Sequence, residues 1–250
     1  MPSEPPLQPA DPRRSASLRW VDLPVAGGGV RLASRLVPLA AGHDPAVWFD
    51  PAYPLLQAAA VSSGGRQAAW FVQGPWGSAV LRHYRRGGLV ARVSQQHYVW
   101  QGAGRTRSFA EFALLDHMAA SGLPVPEPLG AVWWRSGLVY RAAIVVARIQ
   151  GARTLATCLD SADPGKVAEA IFHLHQANVW HADLNAFNIL LDACDHVWLI
   201  DFDRGRMCPM TPARRAANLA RLRRSLCKVS HNGAAFASAV EQAYRGFSGG

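Results

Sequence analysis

The chain has 250 residues, of which 50% are hydrophobic, so it is long enough to bury one substantial core or two small ones. It contains no run of eighteen apolar residues and no apolar segment near its start, so neither a membrane-spanning helix nor a signal peptide is predicted. The four cysteines form no Cys-x-x-Cys pair, which argues against a zinc site and a disulfide framework and favours a cytosolic protein with reduced thiols. The net charge of +9 is carried almost wholly by arginine, and it suits nucleic acid, anionic lipid or a phosphorylated substrate equally well.

The first part of the chain predicts an antiparallel sheet with one helix. Residues 1–20 are rich in proline, and we expect a mobile tail there. Ser108 as N-cap and Glu111 three residues later form a capping box, which predicts a helix over residues 109–120. Apolar runs separated by glycine-containing turns predict five strands, at residues 55–61, 68–72, 79–84, 131–134 and 139–149.

The second part of the chain predicts mostly helices. Helices are expected over residues 164–176, from about residue 212 and from about residue 234. Between the first two lie two short apolar strands, 189–191 and 196–200, which a tight turn joins into a hairpin. We therefore divide the chain into the tail, a sheet-rich unit over residues 21–149 and a helical unit over residues 150–250.

Three polar residues around this hairpin have the spacing of a phosphoryl-transfer site. Asp183 can accept a hydroxyl proton, and Asn188, five residues later, offers an amide oxygen to a magnesium ion. Asp201 ends the second hairpin strand, so the hairpin brings its carboxylate close to Asn188. His181 is expected to be a packed, hydrogen-bonded post for the loop. The pattern H-x-D-x-x-x-x-N followed by D-F-x is typical of protein-kinase-like enzymes, the alternative being ordinary polar loop residues beside two core strands.

The predicted sheet contains candidates for the nucleotide side of such a site. Gly64 and Gly65 lie at a hairpin where backbone amides can approach phosphate oxygens, although a Gly-Gly pair is equally consistent with a simple tight turn. No lysine precedes Lys166, so the cation must be an arginine, and Arg82 stands where kinases place a lysine. Glu111 is then the expected partner of Arg82. The alternative is a solvated Arg82 and a Glu111 that serves only as a cap.

Three segments carry a resemblance to a known family. They are Leu81-Arg-His-Tyr-Arg-Arg-Gly-Gly88, Gly122-Leu-Pro-Val-Pro126, and the stretch from His181 to Leu190 with Ile200-Asp-Phe-Asp203. From about Gly64 onward the chain resembles the 3-deoxy-D-manno-octulosonic acid (Kdo) kinases of Gram-negative bacteria, which belong with the lipopolysaccharide heptose kinases in the protein-kinase-like superfamily.

The resemblance implies a fold, an activity and a set of partners. It implies an α+β, two-lobed protein-kinase-like fold with an antiparallel-sheet N-lobe and a short, mostly helical C-lobe. It further implies ATP-dependent, magnesium-dependent phosphorylation of the 4-hydroxyl of Kdo linked to lipid A precursor, with Asp183 as catalytic base and with Asn188 and Asp201 as metal ligands. Arg85 and Arg86 are candidates for the sugar carboxylate or the lipid phosphates. The expected location is the cytoplasmic face of the inner membrane, as a peripheral protein, with no nucleic acid and no obligate protein partner.

The helix from residue 212 has two faces that agree with a lipid acceptor. Its leucines and Val229 share one face, and basic residues gather on the other, a pattern that suits anionic head groups but also an ordinary solvated face. The basic residues are Arg214, Arg221, Arg224 and Lys228. Rival interpretations are a kinase for a lipopolysaccharide heptose, a small molecule or a protein, a pseudokinase, and a basic nucleic-acid-binding module.

Overall fold

The computed structural model describes residues 19–61, 69–85 and 97–248, and within these ranges a large antiparallel sheet precedes a mostly helical part. The predicted tail up to residue 18, the Gly64-Gly65 turn and Arg86 lie outside the described residues. The predicted α+β fold, with an antiparallel sheet followed by helices, is confirmed. Its division into lobes at residue 150 stays a prediction, although the last strand of the large sheet ends at Ala147.

The strands of the large sheet are β1 Trp20–Val25, β2 Gly28–Ala33, β3 Ala59–Ala60, β4 Ala69–Gly74, β5 Gly77–His83, β6 Tyr98–Val99, β7 Pro128–Ser136 and β8 Val139–Ala147. Their order in the sheet is β1-β2-β7-β8-β5-β4-β3, with β6 paired to β8, and every pairing is antiparallel. Helix α1, Arg107–Ala120, packs against β7 and β8. The buried side chains of α1 include Phe109, Phe112, Leu115 and Met118.

Two predictions for this part were wrong. The strand predicted at residues 55–61 is a 3-10 helix, Pro54–Leu56, followed by the two-residue β3, because Pro54 has no N–H for a strand ladder and Gln57 has a positive φ of 45°. The Ser108–Glu111 capping box does not form. Ser108 Oγ instead donates to the carbonyl of Val132, and Glu111 turns toward the sheet, because both side chains are buried and find partners there. The hairpin β1–β2 was not predicted.

The second half of the chain consists mainly of helices with short strands between them. Its strands and α-helices are β9 Arg153–Thr154, α2 Leu155–Cys158, α3 Pro164–Gln176, β10 Val179–Trp180, β11 Ile189–Leu191, β12 Val197–Leu199, β13 Arg206–Met207, α4 Pro212–Val229 and α5 Gly233–Ser248. Helix α5 packs against both α3 and α4. The predicted hairpin is confirmed as β11–β12, with Ile189 opposite Leu199.

Candidate active site

The loop between β10 and β11 is held together by the backbone carbonyl of Asp183. Asn185 Nδ2 donates to this oxygen at 3.0 Å, and Asn188 Nδ2 donates to it at 2.9 Å. The Oδ1 atom of Asn185 in turn accepts from the N–H groups of Phe187 and Asn188. The side chain of Asp183 itself is 56% exposed, so its carboxylate is accessible from solvent.

His181 is the buried post that the sequence predicted. Its Nδ1 accepts from the N–H of Asp183 at 3.1 Å, so its Nε2 carries the proton and donates to the carbonyl of Ile200 at 2.9 Å. Burial lowers the pKa of His181, which keeps the ring neutral in this role. The ring also packs on Phe202, with centroids 4.5 Å apart. His181 therefore connects the loop that carries Asp183 to the residues on either side of Asp201.

Asn188 and Asp201 are brought together as the hairpin predicted. The N–H of Ile200 donates to the carbonyl of Asn188 at 3.0 Å, which places the residue before Asp201 directly against the loop. Asp201 has a positive φ of 65°, a conformation that aspartate adopts more readily than most residues. Because the amide nitrogen of Asn188 is engaged with Asp183, its Oδ1 is the atom left for a ligand. One amide oxygen and one carboxylate are a donor set that fits magnesium.

Arg82 joins the sheet to this loop. On β5, its Nη2 donates to Glu111 of α1 at 2.5 Å, and its Nη1 donates to Asp201. Tyr84 donates to the second oxygen of Glu111. Burial disfavours the charged guanidinium, but Glu111 and Asp201 outweigh it and raise the pKa of Arg82. The predicted Arg82–Glu111 pair is therefore present, with Asp201 as a partner that the sequence analysis did not anticipate.

A second arginine connects α1 to the Asp-Phe-Asp segment. Arg107 Nε lies 3.2 Å from Asp203 Oδ1, and Arg107 Nη1 donates to Tyr98 at 2.9 Å. Burial raises the pKa of Asp203, while Arg107 opposes this rise. From the sequence, Asp203 was noted only as part of a segment that carries the family resemblance. The signal it missed is Arg107 at the first position of the helix that carries Glu111.

Arg221 of α4 lies beside the carboxylate of Asp183. Its Nη1 donates to Asp183 Oδ1 at 2.9 Å, and the two side chains are 46% and 56% exposed. From the sequence, Arg221 was grouped with basic residues of α4 that suit either anionic head groups or an ordinary solvated face. In the structure Arg221, Arg224 and Lys228 are all exposed, and the contact with Asp183 places Arg221 in the candidate active site.

A buried polar network supports the loop from the helices. Asn218 Nδ2 donates to the carbonyl of His181 at 2.7 Å, so its Oδ1 accepts from His175 Nε2 at 3.1 Å. His175 Nδ1 then accepts from Tyr244 at 2.7 Å. Helices α3, α4 and α5 each contribute one residue, and periodicity alone did not single out any of them.

Of the two arginines proposed for the substrate, Arg85 is described. It follows β5 and is half-buried, and within the described part of the chain its buried Nε finds no hydrogen-bond acceptor. Arg85 also helps to lower the pKa of His83, after the larger effect of burial. The substrate role of Arg85 stays a prediction.

Comparison with known families identifies the type of protein. Residues 53–244 match the model of the lipopolysaccharide kinase (Kdo/WaaP) family. The chain belongs to this family. It is therefore a kinase, a phosphotransferase of lipopolysaccharide biosynthesis.

Curated relatives agree with this membership. The chain is 50% identical over 193 residues to the 3-deoxy-D-manno-octulosonic acid kinase of Xanthomonas campestris pv. campestris (strain B100), covering 76% of this chain and 75% of the relative. The protein of the same name from Xanthomonas axonopodis pv. citri (strain 306) is also 50% identical, with the same coverage. That from Stenotrophomonas maltophilia (strain R551-3) is 49% identical over 185 residues, covering 72% and 74%.

Proposed function

We propose that this protein transfers the γ-phosphoryl group of ATP to the 4-hydroxyl of a Kdo residue linked to lipid A precursor, with magnesium as cofactor. The names of the three relatives support Kdo as the acceptor. The observation that carries the proposal is the convergence of Asp183, Asn188, Asp201 and the Arg82–Glu111 pair at one place between sheet and helices.

Each residue has a role in this reaction. Asp183 orients the acceptor hydroxyl and takes its proton as the new P–O bond forms. Asn188 and Asp201 would hold magnesium, which when bound neutralises phosphate charge and orients the phosphates. Arg82 presents a planar fork of donors to phosphate oxygens, while Glu111 fixes its position.

Acceptor-dependent release of ADP tests the proposal. Kdo-bearing lipid A precursor should support turnover, whereas a heptose-bearing core acceptor, an aminoglycoside and a protein should not. Asp183→Asn should lower turnover on the Kdo acceptor by about 10²-fold or more, with the ATP requirement nearly unchanged. Turnover on another member of the panel and none on the Kdo acceptor would reassign the substrate. Full activity of Asp183→Asn would end the assignment of Asp183 as base.

We also propose a peripheral attachment to the cytoplasmic face of the inner membrane. Among the described residues, no helix combines the length and apolar character needed to cross a bilayer. Arg224 and Lys228 are exposed on α4, and the nearby catalytic loop exposes 54% of Phe187. Basic side chains beside an exposed aromatic ring suit an anionic lipid surface.

A further inference from the structure

The acceptor side of the site has a cation that comes from outside the catalytic loop. Residues 181–188 contain no arginine or lysine, and His181 is buried with a lowered pKa. Asn185, two residues after Asp183, has its amide engaged within the loop. Arg82 is engaged with Glu111 and Asp201 on the nucleotide side. The cation that the structure pairs with Asp183 is Arg221.

The position of Arg221 is set by the residues that flank it on α4. Three residues earlier, Asn218 donates to the carbonyl of His181 at 2.7 Å. Four residues later, the hydroxyl of Ser225 accepts from the N–H of Ala186 at 3.1 Å. Residues at these spacings share one side of a helix, so α4 is attached to the catalytic loop above and below Arg221. An exposed ion pair usually contributes little because holding two long side chains in one geometry costs entropy, and here the helix that carries Arg221 is fixed on both sides of it.

A cation at this place would stabilise the charge that develops during phosphoryl transfer. As the acceptor oxygen bonds to the γ-phosphorus, the bond to the bridging oxygen of ADP breaks and the hydroxyl proton passes to Asp183. Negative charge is then spread over the three equatorial oxygens of the group in flight. A guanidinium carries five N–H donors in a planar fork, and the contact with Asp183 engages one of them.

We propose that Arg221 binds the phosphoryl group as it passes to the acceptor, with Asp183 as its partner before substrate arrives. This inference rests on the proposed function. It makes Arg221 a catalytic residue and removes it from the membrane-facing set.

The first test compares Arg221→Gln and Arg221→Lys on a water-soluble Kdo-containing acceptor. Arg221→Gln should lower kcat by about 10²-fold and leave both KM values within about twofold, because the contact is made mainly during transfer. Arg221→Lys should restore part of kcat. Arg245→Gln, an exposed arginine of the neighbouring helix α5, is the matched control and should be as active as the parent. A rise in acceptor KM alone would overturn the proposal, since Arg221 would then bind the acceptor carboxylate.

The second test separates phosphoryl binding from the orientation of Asp183. In the Asp183→Asn background, adding Arg221→Gln should lower the remaining kcat by a further tenfold or so. No further loss would mean that Arg221 acts only through Asp183, and the proposal would be wrong.

A third test measures slow ATP hydrolysis in the absence of any acceptor. Its outcome does not depend on which acceptor the protein uses, so it separates this inference from the proposed function. If the parent protein ignores every Kdo acceptor, the proposed function fails. A loss of the hydrolysis rate in Arg221→Gln would still support phosphoryl binding, and an unchanged rate would overturn it.

Discussion

Arg82 is proposed to do with a guanidinium what a lysine does at this position in most kinases. It contacts Glu111 and Asp201 at once, which a planar fork can do and a single ammonium group does less well. Because most of the side chain is buried, the two carboxylates leave it few alternative orientations. The residue identity therefore matters for geometry as well as for charge.

Substitution of Arg82 should affect the nucleotide more than the acceptor. Arg82→Ala should raise the apparent KM for ATP by about tenfold or more, and Arg82→Lys should recover only part of this loss. Initial rates at varied ATP measure the effect. Arg141→Gln, an exposed arginine of β8, serves as the control. Unchanged ATP kinetics in both Arg82 variants would exclude a contact with the nucleotide.

Substitutions of the two candidate metal ligands should differ in how much they increase the magnesium requirement. Asp201 contributes a charge and Asn188 only a dipole, so Asp201→Asn should require a larger increase in magnesium for half-maximal activity than Asn188→Ala. Asp195→Asn, in the hairpin turn, is the control for the loss of one carboxylate. If magnesium titrations of both variants match the parent protein, neither residue is a ligand.

At the scale of elements, α1 is connected to the Asp201-Phe202-Asp203 segment by two arginines. Glu111 contacts Arg82 of β5, which also contacts Asp201, and Arg107 at the start of α1 contacts Asp203 directly. The position of α1 therefore affects both contacts. Helix α4 is comparable, because one side carries Asn218 and Ser225 toward the loop while Arg224 stays exposed.

The Glu111 contact should make ATP use depend on pH. Burial raises the pKa of Glu111 to about 7, although Arg82 opposes the rise. Above about pH 7 Glu111 is a carboxylate and attracts Arg82, and below this pH the neutral acid does not. The KM for ATP should therefore increase as pH falls through about 7. Glu111→Gln should have a raised KM with a weaker pH dependence. Identical pH profiles in the two proteins would contradict the prediction, since the ionisation of ATP is common to both.

The exposed face of α4 should control membrane attachment. Arg224→Gln with Lys228→Gln should weaken sedimentation with anionic vesicles by on the order of 1 kcal/mol per charge, and salt should weaken binding of the parent protein. Turnover on a water-soluble acceptor should change little. Arg19→Gln, whose arginine pairs with Asp116 on α1, is a control for the loss of charge. Vesicle binding that persists in the double variant would place the attachment surface elsewhere.

At the scale of the whole molecule, a buried polar chain connects helices α3, α4 and α5 to the site. Tyr244, His175 and Asn218 lead to the carbonyl of His181, whose ring contacts Asp183 and Ile200. Each of these groups has its partners inside the protein, so the chain is rigid when every member is neutral or correctly paired. Replacement of one member should therefore lower the stability of the folded protein and also disturb the loop that carries Asp183.

His175 should make stability depend on pH. Burial lowers its pKa from 6.5 to about 4, so the folded protein holds the ring neutral while the unfolded chain takes up a proton below 6.5. The contribution of His175 to the free energy of unfolding is complete above pH 6.5 and is lost as the pH falls toward 4. The loss is about 2 kcal/mol near pH 5. Urea unfolding of His175→Gln should show a smaller decrease over this range. His173 is exposed on the same helix, and His173→Gln should lose as much stability over this range as the parent protein does. An equal decrease in the parent protein and both variants would exclude the effect.

The sequence alone determined which residues of the candidate site lie close together when they are also close along the chain. Asp183, Asn188 and Asp201 were predicted to meet because a loop and one hairpin connect them, and backbone geometry within so few residues leaves little choice. His181 was interpreted correctly for the same reason. The order of apolar runs and turns predicted a sheet followed by helices, and the family resemblance supplied the two-lobed kinase-like arrangement.

Only the tertiary structure decided the contacts between distant segments. Arg221 reaches Asp183 across 38 residues, and Arg107 reaches Asp203 from another element. Helical periodicity shows which face of α4 is polar, but it cannot show that part of this face meets the catalytic loop. The capping box failed for a related reason. Ser108 and Glu111 are buried by the sheet, and a buried polar side chain takes the partner that packing offers in preference to a local one.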